Sequence, residues 1–135
     1  MSYQTIGLHK TTPHIGAEIS GVDLSKPLGN QQFQEVHDAL MDRLVIFFRD
    51  QKLSIEQHKD FGRRFGKLHM HPASPDIVAG HPEVLVIKAD EHAKYIPGED
   101  WHSDVSCDPE PPMGSILYIK TCPPRGGDTL FANMY

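Results

Sequence analysis

His102 and Asp104 stand two residues apart in Trp101-His102-Ser103-Asp104-Val105-Ser106. In an extended strand, residues i and i+2 point to the same face, so one imidazole and one carboxylate project side by side. That is two thirds of a 2-His-1-carboxylate set, which holds Fe(II) on one face and leaves the other open. The pairing alone is only a prompt. With nine His and eleven Asp in 135 residues, roughly one H-x-D arises by chance. Context has to decide.

The chain carries its own control. His58 and Asp60 form a second H-x-D, but Ser54 with Gln57 three residues on has the form of a capping box. The spacing predicts a helix from about Ile55 to Phe65, closed by Gly66. At about 100° per residue, i and i+2 on a helix diverge by roughly 200° and cannot share an ion. His58 and Asp60 are therefore read as solvated helix residues. His102 and Asp104 instead follow the turn signal Ile96-Pro97-Gly98 and precede Pro109, Pro111 and Pro112, which exclude a long helix. His69 and His71, in His69-Met70-His71-Pro72, could also share a strand face. They are read first as hydrogen-bonded surface or pocket residues.

Positioning these groups falls to short strands and two early helices. Thr5–Leu8 and Ala17–Ser20 are strand candidates, broken by Pro13, Gly16 and Gly21. Phe33, Val36, Leu40 and Leu44 recur at helical spacing, which predicts an amphipathic helix over 31–44 behind a turn and cap at 27–30. Leu44–Phe48 is a continuous apolar run, read as a strand buried on both faces. Val84–Lys88, Ser115–Ile119 and Asp128–Phe131 read as further strands, the second of them in the core. Asp90–Asp100 reads as a loop, and Pro123–Gly127 as a turn. Two early helices followed by strands and Pro/Gly turns imply an α+β fold with a sandwich or jelly-roll core.

Composition narrows the partners. A formal charge of -5 without a basic stripe argues against nucleic acid. No apolar run is long enough to span a membrane, and residues 1–10 lack a signal-peptide core. Cys107 and Cys122 form no C-x-x-C, so neither a disulfide framework nor a zinc site is indicated. A reducing, cytoplasmic setting is the default expectation.

Five ordered blocks now carry a resemblance. Ile15–Leu24, Val45–Gln51, Phe65–Pro72, Trp101–Ser106 and Gly126–Phe131 together resemble the N-terminal half of the taurine dioxygenase family. The resemblance implies an Fe(II)- and 2-oxoglutarate-dependent dioxygenase on a double-stranded β-helix (jelly roll), with ascorbate admissible as a reductant. On that footing His102 and Asp104 match the first two iron ligands. Thr129 matches a residue that helps bind the co-substrate carboxylate, although a β-branched filler of a strand is the plain alternative. His71 matches a substrate-contacting His, while Trp101 reads as packing beside the ligands.

The implied reaction couples decarboxylation of 2-oxoglutarate, to succinate and CO2, with hydroxylation of a small organic acid by O2. A sulfonate, alkyl sulfate or phenoxyalkanoate fits that description. The implied partners are such an anionic substrate and O2, with homo-oligomerisation compatible.

Departures from the family pattern matter as much. Ser74 stands where the family pattern has a substrate-contacting Tyr, and Gly98 where it has an Asn. Both changes remove polar contacts, so a substrate other than taurine is expected. After Asp104 there is no His, and Arg125 is the only Arg. The family's distal iron-binding His and its 2-oxoglutarate-binding Arg are thus unmatched. Residues 1–135 are accordingly read as the N-terminal, truncated part of one dioxygenase domain, expected neither to fold stably nor to turn over co-substrate alone. Two other readings stay open: a non-catalytic fragment, and a cupin-like hydrolase or isomerase, which the Gly126–Phe131 block disfavours.

Overall fold

Backbone pairing builds the first unit around a short central strand. The computed structural model describes residues 2–71, 77–89, 92, 98 and 100–135. The chain divides into two units, Met1–Arg64 with Tyr118–Tyr135, and Phe65–Leu117. In the first, β1 (Gly7–Lys10) runs antiparallel to β2 (Ala17–Ser20), with Gly7 opposite Ser20 and Lys10 opposite Ala17. Strand β3 (Ile46–Phe48) lies parallel to β2 on its other side, with Ala17 opposite Ile46. A parallel pair needs a crossover, and helix α1 (Asn30–Arg43) supplies it.

Helix α1 turns Val36, Ala39 and Arg43 inward, where they join Ile6, Ala17, Ile19 and Leu24 in the core. Arg43 is buried, yet its Nη2 donates to the carbonyls of Thr12 and Pro13 at 2.9 and 3.1 Å. The helix end is thereby tied to the β1–β2 loop. Phe33, expected on the buried face, is instead half-exposed, with the Arg64 guanidinium 4.2 Å from its ring centre. The helix begins at Gly29 without a side-chain cap.

Leu44 belongs to neither the helix nor the strand the sequence assigned it to. It sits at φ +65, and its N–H closes the helix on the Leu40 carbonyl at 2.7 Å. A left-handed leucine costs roughly 1–2 kcal/mol. Bonds from the start of β2 and the residue before it hold it there on both sides: Gly16 N–H donates to the Arg43 carbonyl at 2.9 Å, and Ala17 N–H to that of Val45 at 3.0 Å. Strand β3 is correspondingly shorter than Leu44–Phe48, and its residues are half-buried rather than buried on both faces.

The second helix, α2 (Ile55–Arg63), has the expected capping box. Gln57 N–H donates to Ser54 Oγ at 3.2 Å, and Ser54 N–H donates to Gln57 Oε1 at 2.8 Å. The helix ends at Arg63, with Arg64 as its C-cap, rather than running to Phe65. Phe61 meets Phe48 edge-on at 5.7 Å, which packs α2 on one face of β3. Asp60 pairs with Arg63, and His58 lies edge-on to Tyr118, as suits surface helix residues rather than ligands.

Ser115–Ile119 and Asp128–Phe131 form no strand. Ile116, Leu117 and Ile119 are exposed, and so are Leu130 and Phe131. A strand exists only through a ladder to a neighbour, and neither segment has one among the described residues. Tyr118 is nonetheless pinned: its hydroxyl accepts from Leu53 N–H and donates to the Gln51 carbonyl, both at 3.1 Å. In the second unit, β4 (Ile77–Val78) and β5 (His81–Leu85) form a two-stranded antiparallel sheet. The predicted strand at Val84–Lys88 is thus displaced toward the N-terminus. No helix among the described residues is long and apolar enough to cross a membrane.

Glu35 on α1 clamps the segment that enters β1. Its carboxylate accepts from Thr5 N–H at 2.8 Å, the Thr5 hydroxyl at 2.9 Å and Gln4 N–H at 3.1 Å. Desolvation pushes its pKa up, but the bonds from Thr5, Gln4 and Gln31 outweigh that and hold it at about 2. A depressed folded-state pKa means stabilisation that is complete above the unfolded value and disappears as pH falls through the folded one. Wild type should therefore lose melting temperature more steeply than Glu35→Gln between about pH 4.5 and pH 2. Parallel curves for the two proteins would show that the clamp contributes nothing. Separately, Ser54→Ala should cost about 1 kcal/mol of stability in urea unfolding, through loss of the α2 cap.

Candidate metal centre

Residues 100–108 fold without helix or strand, consistent with the prolines that follow. The Asp100 carbonyl lies 2.7 Å from His102 Nδ1. A carbonyl can only accept, so Nδ1 carries the hydrogen and Nε2 is the nitrogen turned outward. Nε2 faces Asp104 Oδ1 at 3.1 Å. The two side chains thus meet where the chain enters a turn at 104–107, not along the extended strand expected for them. Val105, the residue after Asp104, sits at φ +52.

The electrostatics follow from those contacts. The bond to the Asp100 carbonyl raises the His102 pKa, and Asp104 raises it further, against some desolvation. Each of the two acceptors favours a ring N–H facing it. A divalent ion between Nε2 and Oδ1 would take the place of the Nε2 proton. The spacing suits one: two donors at right angles, each about 2.1 Å from an ion, stand about 3.0 Å apart. Both side chains are about half-exposed, so an ion there is open to other ligands. Among the described residues no third His, Cys, Asp or Glu joins them in a group able to hold a metal.

Gly98 abuts this pair. A Cβ built on it would lie 3.2 Å from His102 Cε1, and its φ of +91 is one that side chains rarely adopt. Glycine here leaves the imidazole room. His71 is half-buried in the same unit, and His69 is engaged by Asp108, with Nε2 and Oδ2 3.1 Å apart. Ser74 falls outside the described residues. Thr129 belongs to the other unit, exposed and without regular structure, in the segment that follows the left-handed Gly126 and Gly127. Trp101 is 71% exposed rather than packed beside the ligands, since no apolar surface covers it among the described residues.

Sequence reasoning did not find three of these features. The Asp100 contact uses a backbone carbonyl, which no residue type reveals. Val105 is a β-branched residue in a conformation its type disfavours. The His69–Asp108 pair joins positions 39 residues apart.

Comparison with known proteins places this geometry in context. The family model for taurine catabolism dioxygenase TauD, TfdA matches residues 8–135. The chain is 37% identical over 131 residues to an alkylsulfatase of Acinetobacter baylyi, covering 96% of this chain and 40% of the relative. It is 33% identical to an alpha-ketoglutarate-dependent sulfate ester dioxygenase of Pseudomonas putida, covering 95% of this chain and 42% of that protein. Its backbone resembles the crystal structure of a taurine dioxygenase from Burkholderia xenovorans, with a TM-score of 0.58 and 39% identity over 64% of this chain and 31% of that one. The chain therefore spans less than half the length of these relatives. A match over nearly all its residues shows that the chain belongs to the TauD, TfdA family of dioxygenases.

Proposed function

We propose that the protein is an Fe(II)- and 2-oxoglutarate-dependent dioxygenase of small organic acids, in which residues 1–135 are the N-terminal part of one jelly-roll domain. The observation that carries this reading is the pair of outward donors, His102 Nε2 and Asp104 Oδ1, 3.1 Å apart, in a chain of this family. His102, fixed in one tautomer by the Asp100 carbonyl, and Asp104 hold the iron; a third ligand comes from outside the described residues. The iron and its co-substrate supply the oxidising chemistry, with decarboxylation of 2-oxoglutarate to succinate and CO2.

The remaining roles belong to the chain's own side chains. Thr129 donates to a co-substrate carboxylate. His71 meets the anionic end of the substrate. Ser74 and Gly98 are smaller and make fewer polar contacts than the Tyr and Asn of the family pattern, which favours an alkyl sulfate, a larger sulfonate or a phenoxyalkanoate over taurine. Relatives that act on sulfate esters support the first of these.

The test is succinate release by the intact protein with Fe(II) and 2-oxoglutarate, across alkyl sulfates, sulfonates including taurine, and phenoxyalkanoates. An acid other than taurine should give the highest kcat/KM. Taurine as the best substrate would refute the reading of Ser74 and Gly98. Losing one hydrogen bond to a charged group costs roughly 1.5–3 kcal/mol, or about tenfold or more in affinity. His102→Ala and Asp104→Ala should each lower succinate release by more than about 100-fold, beyond what residues that merely support a ligand contribute. Unchanged release in either variant would remove that residue from the metal centre.

A further inference from the structure

The second unit brings together two stretches that are far apart in the chain, 65–71 and 100–110. A bond from His69 to Asp108 joins them: Nε2 and Oδ2 stand 3.1 Å apart, across 39 residues of sequence. A carboxylate oxygen only accepts, so Nε2 carries the hydrogen. The Asp108 end is tied into its own stretch. Its N–H donates to the Val105 carbonyl at 3.1 Å, and its Oδ1 accepts from Glu110 N–H at 2.9 Å. The Glu110 N–H, then His69, hold the Asp108 carboxyl below its ordinary range, so it stays ionised as an acceptor.

The pair is sheltered. The His69 and Asp108 side chains are only 24% and 25% exposed, so water and salt screen their bond less than one at the open surface. At the other end, His69 is followed after one residue by His71. Two residues span at most about 7 Å, so an anchor at His69 keeps the backbone of His71 close by. Residues 68–71 belong to no helix or strand, and Met70 between the two His is exposed. Regular backbone bonds do not hold this stretch, so contacts made by side chains carry more of that task.

We propose that Asp108 is a positioning residue for the substrate: through His69 it ties the stretch that carries His71 to the turn at 104–107, and so sets where the substrate's anionic end is met. This role rests on the reading of His71 given above. Asp108 itself touches neither substrate nor metal. The charge of the anionic end does not change as a C–H bond of the substrate is broken, so this contact is worth the same before and during the reaction. Its loss therefore raises KM rather than lowering kcat.

The test uses the intact protein with Fe(II) and 2-oxoglutarate, and the acid of the panel above that gives the highest kcat/KM. Asp108→Ala should raise the KM for that acid about tenfold or more, the effect of misplacing one hydrogen bond to a charged group. The kcat and the KM for 2-oxoglutarate should stay near wild type. Asp108→Asn should also stay near wild type, since its amide can accept from Glu110 N–H and donate to a neutral His69. The decisive comparison is made in His71→Ala. Because Asp108 acts through His71, its removal there should add nothing, and the double variant should have the KM of His71→Ala alone. A double variant whose KM multiplies the two separate increases would overturn the proposal, as would a loss confined to kcat. Where Asp108→Ala fails to fold, His69→Ala carries the same test with the same expected rise and the same lack of additivity. An unchanged KM in His71→Ala would bring down the reading of His71 and this proposal with it, as would a panel in which no acid gives succinate. A raised KM in His71→Ala with an unchanged one in Asp108→Ala would overturn the proposal alone.

Discussion

A carbonyl oxygen has lone pairs and no hydrogen, and that asymmetry orders the region around His102. With the Asp100 carbonyl 2.7 Å from Nδ1, the ring can present only Nε2 to Asp104. One backbone contact thus sets the tautomer, the ring orientation and the identity of the outward donor. The other features around it serve the same geometry. Gly98 leaves space against Cε1, and Asp104 Oδ1 faces Nε2 from two residues away.

The same solution appears twice in the chain. Leu44 at the end of α1 and Val105 beyond Asp104 are apolar residues in the left-handed region, where Gly or Asn would sit at least cost. In each case a backbone hydrogen bond at or beside the strained residue holds it. For Leu44 the holding bonds come from Gly16 and Ala17. For Val105 the bond comes from Asp108, whose carboxylate in turn meets His69. Strain of this kind is local, but its support is not.

The first unit shows how far polar anchors substitute for apolar burial in a small core. Val36 and Ala39 are fully buried, yet much of what fixes α1 is polar. Arg43 binds the carbonyls of Thr12 and Pro13, and Glu35 collects the donors of Gln4 and Thr5. Both contacts secure chain that flanks β1, one of the two outer strands of the sheet. An outer strand lacks a second ladder, so side chains from the helix supply the missing restraint.

Local chemistry is what the sequence alone determined. Ser54 and Gln57 specify the start of α2 because a capping box is closed within four residues. The 3.6-residue period of α1 and the strand at Ala17–Ser20 were legible for the same reason. The ordered blocks that mark the TauD, TfdA family were legible too, and so was the closeness of His102 and Asp104 at a spacing of two. Tertiary structure decided what depends on a distant partner or on a backbone atom. Ser115–Ile119 has the composition of a core strand, but a strand is made by its neighbour, and the segment lies exposed. Leu44 reads as helix or strand until Gly16 and Ala17 bond either side of it and turn it left-handed. His69 reads as a hydrogen-bonded surface or pocket residue, but only the fold names its partner, Asp108, 3.1 Å away. In each of these the free energy lies in a contact between residues far apart in the chain, and no local pattern encodes it.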